Sequence, residues 1–304
     1  MSVALGVVAF GGGVWLLVES VDGLVRTVHG WAAAAGLSGV VLAALVLGFD
    51  VESTAAGVAA ALQELPGTAL GTSIGATIFL LTAGLGIASL VAPFRVAVPP
   101  LALGAAAIAS ALPLLLMLDG ELSRLDGGLL VAAFLPLCLC LFRSRRVGAI
   151  DPDPPARPAH LPLRLLAALA GLLIGAELLV LGTQRIVDGL GVSETLFGLL
   201  VVGAAVSLEE VLLEALPAYR GFTELAVGNA LGTLLFLLTA SLGAIALVHP
   251  LSVPASVRDF HAPALGAASL LCLSLLARGR LGRPVGVALV AAYVTYAALA
   301  LAVG

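Results

Sequence analysis

VGAAVSLEEVLLEALPAYRGFTELAVGNALGTLLFLL, residues 202–238, is apolar enough to sit in lipid yet carries Glu209 and Glu210 side by side. A second stretch, LGFDVESTAAGVAAALQELPGTALGTSIGATIFLL at 47–81, reads as an altered copy. Asp50 and Glu52 stand where the first stretch has its glutamate pair, and GTSIGAT stands where it has GNALGTL. A carboxylate at the centre of a bilayer costs about 2.5–3.5 kcal/mol on insertion scales, so four of them need a reason.

The composition around these stretches fixes the class. The chain has 304 residues, 61% hydrophobic and 11% charged, with a mean hydropathy of +1.18. A water-soluble domain of that make-up could not cover its surface with polar groups. Apolar runs long enough to span lipid recur along the whole length. The chain therefore reads as an all-α polytopic membrane protein in contact with the lipid bilayer. Its net charge of -4 is small and its basic residues are all arginines, mostly in short loops. This excludes nucleic acid as a partner.

Ten spans are predicted: 2–19, 38–63, 68–92, 97–118, 126–142, 162–182, 193–216, 222–247, 262–277 and 284–303. The first and sixth have sequence that can continue as helix along the interface, SVDGLV and GTQRIV. The one long polar connection, RSRRVGAIDPDPPARPAH, is rich in Pro and Asp and reads as an extended linker. It divides the chain into a first repeat at 1–142, a linker at 143–161 and a second repeat at 162–304.

The arginines set the orientation. With the N-terminus outside, Arg26, Arg95, Arg143, Arg145, Arg146, Arg157, Arg164, Arg220, Arg278, Arg280 and Arg283 fall in cytoplasmic loops. Only Arg124, Arg185 and Arg258 fall outside, which is a clear positive-inside bias. Both termini are then outside and the linker is cytoplasmic. Met1 to Val18 reads as a first helix, since no cationic n-region precedes it.

The halves are alike. WLLVESVDGLV at 15–25 matches ELLVLGTQRIV at 177–187, and Gly71 and Gly75 align with Gly228 and Gly232 through the whole third span of each half. Each half has an odd number of spans, so the two copies enter the membrane from opposite sides. That is an inverted-topology repeat of five helices, an arrangement that places a site at the repeat interface near the midplane.

Glu209 and Glu210 lie about 100° apart on a regular helix, and Asp50 and Glu52 about 200° apart. Gly48 and Gly203, just before each cluster, allow the backbone to deviate and turn carbonyls toward a cavity. Carboxylates, hydroxyls and carbonyls are the oxygen ligands that hard cations take. Ser53, Thr72, Ser73 and Thr77 are further donors in the first half, with Ser207, Asn229 and Thr233 in the second. The glycines spaced by four let helices approach closely, so spans 3 and 8 are expected against spans 2 and 7. Glu214, Glu177, Glu19, Glu64 and Glu224 are the other acids near these segments; lining of the ion path, capping or solvation all remain open for them. Cys138, Cys140 and Cys272 read as small packing residues, and His29, His160, His249 and His261 as interfacial, the last two with possible pH sensitivity. Nothing resembles a nucleophile–base set or HExxH, so the chain is not read as an enzyme, and no cofactor is expected.

The two stretches resemble the α-repeats of the calcium/cation antiporter superfamily, whose sodium/calcium exchanger members carry GTSLPE followed by GNxxGSN. Glu210 takes the place of the motif glutamate, Ser207 of its serine and Asn229 of the asparagine, and GAELLV at 175–180 is similar to the start of the family's second half. The departures are specific. GFDVES replaces GTSLPE, with Ser53 on the glutamate position and Glu52 one residue early; SLEE replaces SLPE; three of the four asparagines are gone. GFDVES also resembles the GNAVE motif of the cation/proton exchanger branch. These changes remove amide oxygens and add carboxylates that can take protons. The resemblance implies a secondary antiporter in a bacterial or archaeal plasma membrane, exchanging a divalent cation, Ca²⁺ before Mg²⁺ or Mn²⁺, for protons or Na⁺. Glu52 and Glu210 are then the principal ligands, Asp50 and Glu209 added ligands or proton carriers, with Ser53, Ser207, Thr72, Asn229 and Thr233 around them. A membrane protein that keeps the fold without transporting is the reading from another class.

Overall fold

Inside lipid no water is available to bond peptide groups, so an apolar run satisfies its own backbone by becoming a helix. In the computed structural model the described residues are 3–35, 43–44, 47–143, 161–190 and 203–303. Helix α1 is Val3–Ala35. Helix α2 is Val51–Leu62. The third span is α3 (Pro66–Phe79), a π-helical turn at Leu80–Gly84, and α4 (Leu85–Val91). After strand β1 (Phe94–Arg95) come α5 (Pro100–Leu116), β2 (Glu121–Leu122) and α6 (Arg124–Arg143).

The second half repeats the order. Helix α7 is Leu161–Leu190 and α8 is Gly203–Tyr219. The eighth span is α9 (Thr223–Leu235), a π-helical turn at Phe236–Ser241, and α10 (Leu242–Val248). Then follow β3 (Leu251–Ser252), a π-helical turn at Val257–His261, α11 (Ala262–Arg278), β4 (Arg280–Leu281) and α12 (Arg283–Val303). Helical segments occur in all ten predicted spans, and on the described residues seven stretches are long and apolar enough to cross a membrane. The starts of the second and seventh spans and the linker at 144–160 lie outside the described residues. The first and sixth spans run well past 19 and 182, to 35 and 190, because neither extension contains a proline to stop the helix.

The two halves are copies in three dimensions as well as in sequence. Gly71 and Gly228 are 157 residues apart, and that offset recurs. It carries the π turn at Leu80–Gly84 onto the one at Phe236–Ser241. It also carries Thr82, whose hydroxyl donates to the Ile78 carbonyl at 2.5 Å, onto Thr239, which does the same to Leu235. It carries Glu64 at φ 58° onto Gly221 at φ 85°, so a left-handed residue closes the same turn in each half. In the first half that residue is a glutamate, which meets a steric penalty that glycine escapes.

The strands tie the halves together. β1 pairs with β4, Phe94 opposite Leu281 and Arg95 opposite Arg280. β2 pairs with β3, Glu121 opposite Ser252 and Leu122 opposite Leu251. Each pair joins the loop after one half's third span to the last loop of the other half. Both loops of a pair must therefore lie at the same end of the bundle, as an inverted ten-span repeat requires.

Glycines set the helix crossings. α1 and α7 run antiparallel, with Gly13 against Gly175 and Gly6 against Gly182, backbone to backbone. Gly86 meets Gly286 across α4 and α12, and Gly243 meets Gly127 across α10 and α6, each contact joining one half to the other. Gly232 of α9 lies against the backbone of Ala44, and Gly48 against Gly232 and Thr233, so the eighth span rests on the second as the sequence suggests. The packing has two parts. A large core surrounds the third and eighth spans, including Leu81, Leu85, Leu238 and Leu242. A smaller one joins Leu17, Val21 and Leu24 of α1 to Leu172 and Leu179 of α7 and to Ala43, Leu47 and Leu225 of the second and eighth spans.

A Cβ on Gly232 would occupy the space of the Ala44 backbone. Gly232→Leu is expected to lower the thermal stability of the detergent-purified protein by at least about 1–3 kcal/mol. Gly266→Ala, whose methyl would meet only Leu114 Cδ1 at 3.5 Å, is the tolerated control. Equal melting of the two variants would contradict this packing. Glu64→Gly should raise stability by about 1 kcal/mol, by removing the left-handed strain, in the same melting assay.

Candidate cation site

The segment before α2 leaves the helix at Gly48–Asp50, and Asp50 caps α2. Its Oδ1 accepts from the Ser53 backbone N–H at 2.8 Å. Asp50 Oδ2 is buried with no hydrogen-bond partner. The local cause is an N-cap: an Asp followed by a helix whose first N–H groups need an acceptor. Glu52 follows in the first turn and is exposed, with Ser53 and Thr54 half-buried beside it. Thr54 Oγ1 lies 2.8 Å from Ser241 Oγ, which links α2 to the π turn of the other half.

Glu209 and Glu210 sit half-buried within the unbroken helix α8. Glu209 is within electrostatic reach of Glu52 and Asp50. Glu210 is within reach of Asp50, Glu209 and Glu52. The four acids that the sequence singles out thus come to one place from both halves. They are close enough to repel one another. Even so, no three His, Cys, Asp or Glu side chains stand at chelating distance among the described residues. The arrangement is a gathering of carboxylates rather than a closed cage.

The polar residues are placed unevenly. Asn229 and Thr233 are buried one turn apart on α9, and the Thr233 backbone lies against Gly48, two residues before Asp50. Asn229 Oδ1 has no hydrogen-bond partner. Thr72 donates to the Ala69 carbonyl at 2.8 Å, and its hydroxyl borders Gly57 of α2. Ser73 is fully buried with an unpartnered Oγ, while Thr77 donates to the Ser73 carbonyl. The Ser207 side chain and the turn before Gly203 lie outside the described residues.

Two acids gain importance that the sequence does not give them. Glu177 of α7 is within electrostatic reach of Glu52, although the first half has Trp15 in its place. Tertiary packing of α7 puts it there, and no local pattern announces that packing. Glu214, one turn beyond Glu210, is 0% exposed, and neither carboxylate oxygen has a hydrogen-bond partner. One of those oxygens fills the space a side chain at Gly84 would take. The signal was present in the absence of a Cβ at position 84, but only the fold pairs it with Glu214.

Comparison with known proteins gives a consistent result. The family model described as sodium/calcium exchanger protein matches residues 5–143 and 160–302. Inner membrane protein YrbG of Escherichia coli (strain K12) is 28% identical over 312 residues, 94% of each chain. Sodium/calcium exchanger MaX1 of Methanosarcina acetivorans is 30% identical over 133 residues, 43% of this chain and 38% of that protein. The solved sodium–calcium exchanger NCX_Mj has the same fold, with a TM-score of 0.85, 24% identity, and coverage of 98% of this chain and 99% of that one. With a match that takes in both repeats and a fold built on them, the chain belongs to the sodium/calcium exchanger protein family of the calcium/cation antiporter superfamily, and is an integral membrane protein.

Proposed function

We propose that this protein is a secondary antiporter that exchanges a divalent cation, Ca²⁺, for protons or Na⁺ by alternating access. One observation carries the reading: Asp50, Glu52, Glu209 and Glu210 reach a shared place from two inverted repeats. Glu52 and Glu210 are the principal ligands. Asp50 and Glu209 add charge or carry protons, and Asn229 offers the unpartnered amide oxygen that a cation would take. Ser53, Ser207, Thr72 and Thr233 supply hydroxyls around them.

Charge balance then couples the fluxes. Four ionised carboxylates with no bound ion are too costly to carry through an occluded state. A divalent ion removes two of the charges, and two protons or two monovalent ions remove as many. Each excludes the other, and that competition is the exchange. The surplus of carboxylates over amides favours protons as the counter-ion here.

The moving part in this reading is the α1–α7 pair. Its two helices cross glycine on glycine, and the smaller core lies between this pair and the bundle. Both of its helices pack on α8, and Asp22 binds Arg220 at 3.1 Å. Sliding of this pair carries Glu177 past Glu52 and opens the site to one side at a time. The cytoplasmic linker at 143–161 joins the repeats at 1–142 and 162–304, with both termini outside.

The reading is tested by Ca²⁺ flux in proteoliposomes. Glu52→Gln and Glu210→Gln should each weaken apparent cation affinity by about one to two orders of magnitude, the worth of one charge-assisted contact. Undiminished exchange in both variants would end the assignment. Flux competition with Mg²⁺ and Mn²⁺ identifies the cation. For the coupling ion, Ca²⁺ uptake driven by a pH jump but not by a sodium jump is the expected outcome; the reverse assigns Na⁺. A wild-type protein with no saturable cation binding by calorimetry would instead point to a fold kept without transport.

A further inference from the structure

Proton-bearing side chains are scarce in this chain away from the carboxylates, and three of them are stacked into one file. His261 is half-buried at the end of the π turn that precedes α11. Its Nδ1 lies 2.9 Å from Tyr296 Oη on α12. Phe260 stacks on the Tyr296 ring at 5.7 Å and 2°, which holds the phenol in line. One turn back on α12, the Tyr293 ring is 6.2 Å from that of Tyr296 and packs edge-on against Phe79 at 5.1 Å. The two phenols are within electrostatic reach of each other, and Tyr293 is within reach of Glu210. The file begins beyond β3, at the end of the bundle that the arginine bias assigns to the outside, and ends at the carboxylates.

We propose that His261, Tyr296 and Tyr293 form the outer proton route to Glu210. The proposal rests on the proton-coupled reading above. Imidazole and phenol each accept a proton on one side and give one up on the other, so they pass it on without keeping charge. Water bridges the steps between rings that are too far apart for a direct bond. A proton taken up at His261 Nε2 leaves from Nδ1 toward Tyr296 Oη, whose own proton moves on toward Tyr293 and then to a Glu210 oxygen.

No fixed charge next to the file competes for that proton. Arg258 and Asp259, on the same π turn, are exposed and bind each other at 2.8 Å. Helix α3, which packs on the turn, has no titratable residue. On α11 the titratable residues are Cys272, whose thiol bonds the Leu81 carbonyl, and Arg278 in the last turn. Helix α12 brings only Tyr293 and Tyr296 apart from Arg283 at its opposite end. An interfacial aromatic belt would explain the rings equally well. It would not explain a dependence on the phenolic hydroxyl.

The test uses the full chain in phosphatidylcholine/phosphatidylglycerol vesicles with an entrapped pH dye, and calorimetric Ca²⁺ binding on the same preparations. His261→Gln and Tyr296→Phe should each slow Ca²⁺-driven proton counter-flux by at least about tenfold, as loss of a positioned proton donor does. Ca²⁺ affinity should stay unchanged. Wild-type rates and pH profiles in both variants would overturn the route. If His261→Gln fails to fold, Tyr296→Phe decides alone, since it keeps the ring on Phe260. A wild-type protein that moves no protons would overturn the proton-coupled reading and the route together, whereas proton-coupled wild type with unaffected variants overturns the route only.

Discussion

Negative charge drawn from two repeats into a medium of low dielectric is the constraint on which the rest of this structure turns. Taking an ionised carboxylate out of water without a partner costs far more than any single packing contact returns. The ion pairs among the described residues do not help. Asp22 binds Arg26 and Arg220, and Arg258 binds Asp259, all with exposed arginines. None involves the four central acids. In the proposed reading their counter-charge arrives from solution, as a cation or a proton.

Such a site also needs helices that approach one another without a hydrophobic drive, because lipid tails are as apolar as the side chains. Glycine solves this at several crossings among the described residues. Gly13 on Gly175, Gly86 on Gly286, Gly127 on Gly243 and Gly232 on Ala44 bring backbones together where any side chain would hold them apart. The pairs Gly86–Gly286 and Gly243–Gly127 are images of one another across the repeats. The Gly13–Gly175 crossing stands on the axis itself. The α1–α7 unit is joined to the bundle through the smaller core, in which Leu17, Leu24 and Leu179 meet Ala43, Leu47 and Leu225.

Much of this was legible in the sequence, for physical reasons. A bilayer fixes the length of each apolar run, so the ten spans and their order could be counted; parity then gave the inverted repeat. The four acids stood out because lipid makes any carboxylate expensive. What the sequence withheld depends on which helices touch. LLTAG and FLLTAS contain nothing that separates a π turn from an ordinary helix, yet both halves widen there, and Glu214 uses the room made at Gly84. Glu177 has no acid in its place in the first half, and its nearness to Glu52 depends on how α7 packs in the bundle. Two-residue strands such as Glu121–Leu122 are too short to leave any alternation to read.

The repeat is symmetric in charge while being asymmetric in order. The offset that relates Gly71 to Gly228 also relates Asp50 to Ser207, Glu52 to Glu209 and Ser53 to Glu210. Each half therefore contributes two acids and one serine, permuted. The permutation changes how the charge is held. Asp50 is fixed as a helix cap by its bond to the Ser53 N–H, while Glu209 and Glu210 ride on longer stems along a continuous helix. One half thus holds a carboxylate by a backbone bond, and the other presents its two carboxylates from adjacent positions of one helix.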